Sequence, residues 1–439
     1  MRSTLALLSM TLLAVPATAA SGGPASRDVP PAVGSKGMAI VAQIPGAGGT
    51  DLELFSRTLP RYRDAKGRMV AKRSLRHFAV VGNQTSDTKI VDVTNPEKPF
   101  IASIIPCTLS QGDIQLNAAR SLVIIAGGPN GASQRCRYFN VTTRTMTPMP
   151  PGGAVVSIKD VYDPRVIGAA PTAEGAHNVT LAPGGRYLYI STSEIAEGTG
   201  LIPIYDLADP TQPKLVHTFS SPGNAPHDIR FNAKGTRAYL AGVSTYKILD
   251  TTDLKAPKLV STFYPPGTSI GHDVVVTPDG AFLFAGDEGG GGATYPCPGG
   301  AVHTFDIRIE TAPVYLGQSF AGAGPVTNRD AGTPGDAGTP GSCTSHVMDL
   351  NPDGKSFTLG WYSAGSRVFS FASLYNEAKP APGPAAAYGS NGVGLVETNW
   401  IRPTGGSTWS AKQYAPLPGY IFSDDLKLGF YVTRLPKGE

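Results

Sequence analysis

The sequence predicts an all-β fold, a seven-bladed β-propeller of four-stranded blades, and three observations predict it. The first is composition: 53 Gly and 39 Pro, together 92 of 439 residues, exceed the roughly 12% of average usage and mark a turn-rich chain. With 41% hydrophobic and only 16% charged residues, the chain has enough apolar matter for a core and too little charge for disorder or a coiled coil. The second observation is a strand-and-turn phrase that recurs along the chain. The third is another phrase, opening on His, that precedes the first in each unit. The net charge of +4 is spread thinly, and nucleic acid is excluded as a partner because a phosphate footprint needs a concentrated basic face.

In chain order, Arg2, the apolar run Leu5 to Val15 and Ala17-Thr18-Ala19 read as the three regions of a signal peptide over residues 1–19. A leader and entry segment spans 20–49, with Ala20 to Pro31 expected to be disordered, and one propeller domain fills 50–439. No later run of about 20 apolar residues suggests a membrane span. The expectation is an exported monomer, periplasmic or extracellular. Cys107, Cys136, Cys297 and Cys343 form an even set suited to an oxidising compartment. Of three connectivities, the nearest-neighbour pairing, Cys107 with Cys136 and Cys297 with Cys343, is preferred. No CxxC or CxxCH is present.

The strand-and-turn phrase appears as Lys89-Ile-Val-Asp-Val-Thr-Asn-Pro-Glu-Lys-Pro99, Ile204-Tyr-Asp-Leu-Ala-Asp-Pro-Thr-Gln-Pro213 and Ile248-Leu-Asp-Thr-Thr-Asp-Leu-Lys-Ala-Pro257, with a weaker copy at His303-Thr-Phe-Asp-Ile307. Each is a strand ending in an Asp that can bond backbone in the turn, a Pro-fixed bend and a return strand. The second phrase opens at His177, His227, His272 and His346 and gives a strand, a Gly turn and another strand. Fainter copies begin at Thr50, Gly112 and near Thr408. Seven units of four strands make a closed propeller in which each blade covers its neighbour's apolar face, with the segment Thr408 to Val432 closing the ring. At about 60 residues per unit, the surplus over the roughly 40–50 of compact propeller repeats lies in loop insertions. One carries Arg57, Arg61, Arg63, Lys66, Arg68, Lys72, Arg73 and Arg76 and reads as a solvated connection, an anionic-partner site being the alternative. Pro325 to Gly341 and Lys379 to Gly392 read as surface loops.

The phrases Ile90-Val-Asp-Val, Trp361-Tyr-Ser-Ala-Gly-Ser-Arg-Val368 and Tyr420-Ile-Phe-Ser-Asp-Asp-Leu-Lys-Leu-Gly-Phe-Tyr-Val432 resemble those of LVIVD-repeat proteins, exported bacterial β-propellers. The resemblance covers nearly the whole mature chain and implies fold and export, and almost no chemistry. The chain departs from the pattern in blade two, where Arg137-Tyr-Phe-Asn140 is read in place of the motif, and in blade six, where Ser370 stands in the Asp position.

Of seven His, four occupy one slot, the start of the innermost strand, in four consecutive blades. Innermost strands line the axial channel, so His177, His227, His272 and His346 are expected at its mouth, within reach of a common centre. Metal binding, a repeated structural hydrogen bond and a substrate contact are the three readings of that slot. The second strand returns to the same rim, bringing Glu194, Asp287, Glu288 and Tyr362 as second-shell candidates. Such a set suits Fe, Cu, Zn or Mn. His77, His217 and His303 read as structural. No nucleotide-binding loop, HExxH or complete serine elbow is present. The leading functional reading is a binding or scaffold protein of the envelope with an unspecified small-molecule or protein partner. The alternatives are a metal-dependent oxidase or oxygenase, by analogy with His-lined propellers such as carotenoid-cleaving oxygenases, and a lactonase-like hydrolase, because Ala225-Pro-His-Asp-Ile and Tyr187-Leu-Tyr-Ile-Ser-Thr-Ser-Glu194 resemble blade phrases of seven-bladed lactonases.

Overall fold

The computed structural model describes residues 29–46, 48–109, 112–128, 136–192, 200–221, 226–289, 299–321, 342–375 and 394–436. The expected signal peptide, Glu194, Cys297 and both Pro/Gly-rich insertions lie outside them. Seven antiparallel sheets are arranged as blades. Blade one is Leu52–Leu59, Ser74–Val81, Thr88–Asp92 and Phe100–Ile105, from the innermost strand outward. Blades three, four and five follow the same order, beginning at Asn178–Leu181, Pro226–Phe231 and Gly271–Val276. Alternation drives the packing: residues on both faces of each sheet are apolar, and each face needs a neighbouring blade to cover it. The buried side chains accordingly fall into seven clusters, one at each blade interface, including the one between blade seven and blade one that closes the circle.

The repeat phrase does what its residues suggest. Asp92, Asp206, Asp250 and Asp306 each accept a backbone N–H from the residue two positions on, at 2.8–3.0 Å, which reverses the chain after the third strand. One residue before each of these Asp, a bulge shifts the register against the fourth strand, and bulges sharpen the local twist. The same bulge recurs before Ser157 and Ser370.

That bulge corrects the reading of blade two. Arg137–Asn140 pairs only with Thr145–Pro148 as a separate hairpin, and the third strand of the blade is Gly152–Ser157. The true copy of the motif is Val156-Ser-Ile-Lys-Asp-Val-Tyr-Asp-Pro164, with Ser157 in the Asp slot. The physical reason is burial: Ala154, Val155 and Val156 are fully buried, whereas Phe139 is exposed and cannot supply a core strand. The Cys107–Cys136 disulfide ties the root of this hairpin to the end of blade one. Cys343 is also disulfide-bonded, and its partner lies outside the described residues.

The entry segment supplies two strands. Ala39–Ile44 pairs with Gly429–Arg434, matching Ala42 with Val432 and Ile44 with Phe430, so the fourth strand of blade seven comes from the other end of the chain. Thr408–Gln413, Tyr420–Asp425 and Gly429–Arg434 supply the remaining three. Ala32–Lys36 adds a fifth strand to blade six beside Val396–Pro403. Among the described residues no helix is long and apolar enough to cross a membrane. Of the basic residues read as one insertion, Arg57 and Arg76 instead lie opposite each other on the first two strands of blade one, Arg57 donating to the carbonyls of Ile158 and Arg120, while Arg68, in the connection between those strands, pairs with Asp64.

Candidate metal centre

The four slot histidines meet at the channel mouth. Ring centroids of His177 and His227 are 4.1 Å apart, of His227 and His272 4.3 Å, and of His272 and His346 3.9 Å. Trp409 fills the corresponding position of blade seven and continues the arc, 4.0 Å from His346. The backbone explains the alignment: the N–H of His177 bonds Ser191 O and the N–H of His346 bonds Gly360 O, which fixes each ring where the innermost strand leaves the rim.

Two of the rings are oriented by backbone carbonyls. His227 Nδ1 lies 3.1 Å from the carbonyl of His272 and His346 Nδ1 lies 3.0 Å from that of Trp409. A carbonyl only accepts, so each Nδ1 carries the proton and each Nε2 keeps its lone pair. His346 Nε2, His272 Nδ1 and His177 Nδ1 are buried without a hydrogen-bond partner. Burial holds all four imidazoles neutral: His177 is pushed down to about 4, and the other three lie well below the usual range, again chiefly through desolvation. Neutral imidazoles with unsatisfied nitrogens are donors of the kind a metal ion takes, and three of the four rings present one.

Glu288 lies beside these rings. Its carboxylate faces His346 Nε2 at 3.6 Å and His272 Nε2 at 3.8 Å, and ligand atoms of His227, His272 and Glu288 all lie within 4.8 Å of one another. Burial raises the Glu288 carboxyl to about 7, with Asp287 adding to the rise and the Tyr362 hydrogen bond opposing it. The Tyr362 hydroxyl donates to Glu288 Oε1, and burial holds that phenol far above its ordinary range. Tyr362 adopts φ +41°, costly for a bulky aromatic. It is held there by two backbone bonds with Thr408 and by the turn at Gly365, φ +80°, and strain of this kind collects at working sites.

The structure thus brings together His177, His227, His272, His346, Glu288 and Tyr362. Asp287 points elsewhere: its Oδ1 accepts the N–H groups of Ser269 and Ile270 and shapes the strand entry. His77 bonds Ser56, His303 lies between Thr268 and Tyr315, and His217 is exposed on an outer strand. Below the rim lies a cavity of about 290 Å³. It is bounded by the imidazoles, Glu288, Tyr362 and Trp409 at the mouth and by Asp113, Asp228 and Arg230 at the inner end. Those last three were missed from sequence, although an Asp directly follows the slot at 51, 113, 228 and 273.

No family model matches the chain, and no curated protein does. Among solved structures, it is similar to the β-propeller domain of Cps50 (Swd1) from Myceliophteria thermophila, at 10% identity over 91% of this chain and 99% of that one, with a TM-score of 0.53. A periplasmic gluconolactonase of Pseudomonas aeruginosa aligns at 13% identity over 80% and 86%, TM-score 0.45. A protein of unknown function from Desulfotomaculum acetoxidans aligns at 14% identity over 73% and 85%, TM-score 0.46. At these identities the likeness is one of fold.

Proposed function

We propose that the channel mouth holds one transition-metal ion on His227, His272 and Glu288, flanked by His346 and His177, and that the protein is an exported metal-dependent enzyme acting on a small molecule in the adjoining cavity. The observation that carries this reading is the convergence of buried ligand atoms of His227, His272 and Glu288 within 4.8 Å of one another, with the partnerless nitrogens of His177, His272 and His346 in the same arc of rings. Leaving such groups unpaired costs about 1–3 kcal/mol each, a cost that a bound cation recovers. Two imidazoles and one carboxylate with open positions suit non-haem iron or zinc, with Mn and Cu as the remaining candidates. A structural metal site is closed, whereas a catalytic one keeps a position for substrate. The cavity against this rim favours the enzymatic reading over an envelope scaffold.

Export is supported by the N-terminal pattern and the Cys107–Cys136 disulfide. A monomer fits a ring that closes within one chain. Elemental analysis of the natively exported protein, with His227→Ala, His272→Ala and Glu288→Ala beside it, tests the reading. One ion per chain, lost in the variants, is the expected result. Oxygen consumption by the loaded protein then separates an oxidase from a hydrolase.

A further inference from the structure

The inner end of the cavity carries more carboxyl groups than cations. Arg230 is committed to Asp273, with Nε 3.0 Å from Oδ1 and Nη2 3.1 Å from Oδ2, and a further bond to Met348 O. Lys412 is committed to Asp51 and Glu53, at 3.3 and 3.1 Å. Among the described residues Asp113 has no cation at ion-pair distance, and Asp228 only shares Arg230 with Asp273. Asp113 Oδ2 accepts the N–H of Val179 and Asp228 Oδ1 that of Ile229, while Arg230 approaches Asp228 only to 3.7 Å. Asp113 is partly accessible although it lies inside the ring, and the cavity is the space it faces.

Burial without a matched cation pushes the Asp113 carboxyl up to about 7, with Asp51 adding to the rise, a penalty that an incoming positive charge relieves. The opposite wall points to a ligand independently. His346 is 1% exposed, and its Nε2 has no partner, yet the residue lines the same cavity. Trp409 and Tyr362 supply aromatic surface at the mouth, which suits the alkyl portion of a ligand whose charged end lies at the inner end. An anionic ligand would meet the unmatched Asp113 carboxyl and an Asp228 that shares its one cation with Asp273.

We propose that this cavity takes a small protonated primary or secondary amine, seated with its ammonium group between Asp113 and Asp228 and its other end at the imidazole rim. The amine's role as substrate rests on the metal-centre reading; its binding does not. Three probes of matched size, n-butylammonium, n-butanol and butyrate, are titrated calorimetrically into the full chain, metal-loaded and chelator-treated, and into the Asp113→Asn/Asp228→Asn double variant.

Butylammonium should bind at least tenfold tighter than butanol or butyrate in both metal states, and the double variant should lose that preference while its metal content stays unchanged. The comparison of probes on the unaltered protein keeps the test decisive if the variant fails to fold. Equal binding of butanol or butyrate, or full amine affinity in a folded double variant, would overturn the proposal. So would displacement of the amine by micromolar Ca²⁺ or Mg²⁺, which would make the acidic end a second cation site. Amine binding by a protein that holds no metal would keep this inference and remove the metal-centre reading, and the reverse result would do the opposite.

Discussion

Glu288 Oε1 lies 3.6 Å from His346 Nε2, a nitrogen with no hydrogen-bond partner, and the same oxygen accepts the Tyr362 hydroxyl. One carboxylate therefore couples the imidazole arc to a phenol. The phenol's hydrogen bond stabilises the ionised carboxylate against the burial that raises it to about 7. In Tyr362→Phe the carboxyl should rise further, and protons should compete better with metal. Metal affinity measured by chelator competition should fall about tenfold at pH 7, in line with the roughly 1.5–3 kcal/mol of a hydrogen bond to a charged group, and recover towards pH 9. A loss that is the same at both pH values would indicate a packing role only.

His177 gives a pH signature in the metal-free protein. Its folded value of about 4 lies below the usual 6.5, so between those limits the unfolded chain binds a proton that the folded chain refuses. Stability contributed at neutral pH is therefore lost as pH falls from about 6.5 towards 4. His177→Gln should flatten that part of the stability curve by about 2 kcal/mol, less than full linkage gives because the ring is partly accessible to the cavity. Denaturant melts of both proteins across pH 4–7 measure the difference.

The repeated Asp slot should be unequal in energy. Arg76 and Asp92 pair at 2.7 Å with side chains 14% and 1% exposed, whereas Arg186 and Asp206 pair at the same distance with 59% and 16% exposed. Removing one partner of a buried pair strands a charge at about 3–5 kcal/mol, while exposed pairs contribute under about 1 kcal/mol. Asp92→Ala should cost about 3 kcal/mol and Asp206→Ala about 1 kcal/mol, the latter mostly from the lost turn. Urea denaturation of the two variants compares them directly.

Ring closure depends on a strand far from its partner in sequence. Deleting residues through Ile44 exposes the edge of Gly429–Arg434 and uncovers the cluster around Phe430 and Val432. At about 1.5–3 kcal/mol per buried aliphatic side chain, the truncated protein should lose several kcal/mol and associate through its open edge. Thermal melting with light scattering measures both effects, and an unchanged melt would contradict the closure.

The histidine slot was legible because the repeats carry it in one register, and a shared register in a propeller means a shared rim. The division between Asp287 and Glu288 was not, since adjacent residues at a strand end point to opposite sides and only the path of the chain at Ser269 and Ile270 decides which meets the cavity. Blade two was misplaced because Ser157 replaces Asp and a hairpin stands before the strand. The closing strand was hidden because Ala39–Ile44 is short and its partner lies at the far end of the chain. Asp113 and Asp228 were visible as residues following the slot, but that Asp113 lacks a cation and Asp228 shares Arg230 with Asp273 depends on where Arg230 and Lys412 reach.

The central claim is the metal centre, and elemental analysis of the natively exported protein tests it most directly. About one equivalent of Fe, Zn, Mn or Cu per chain is expected, reduced at least tenfold in His272→Ala and Glu288→Ala and unchanged in His217→Ala. A correctly folded protein that carries none of these metals and binds none of them tightly on addition would contradict the account and return the histidine arc to a structural role.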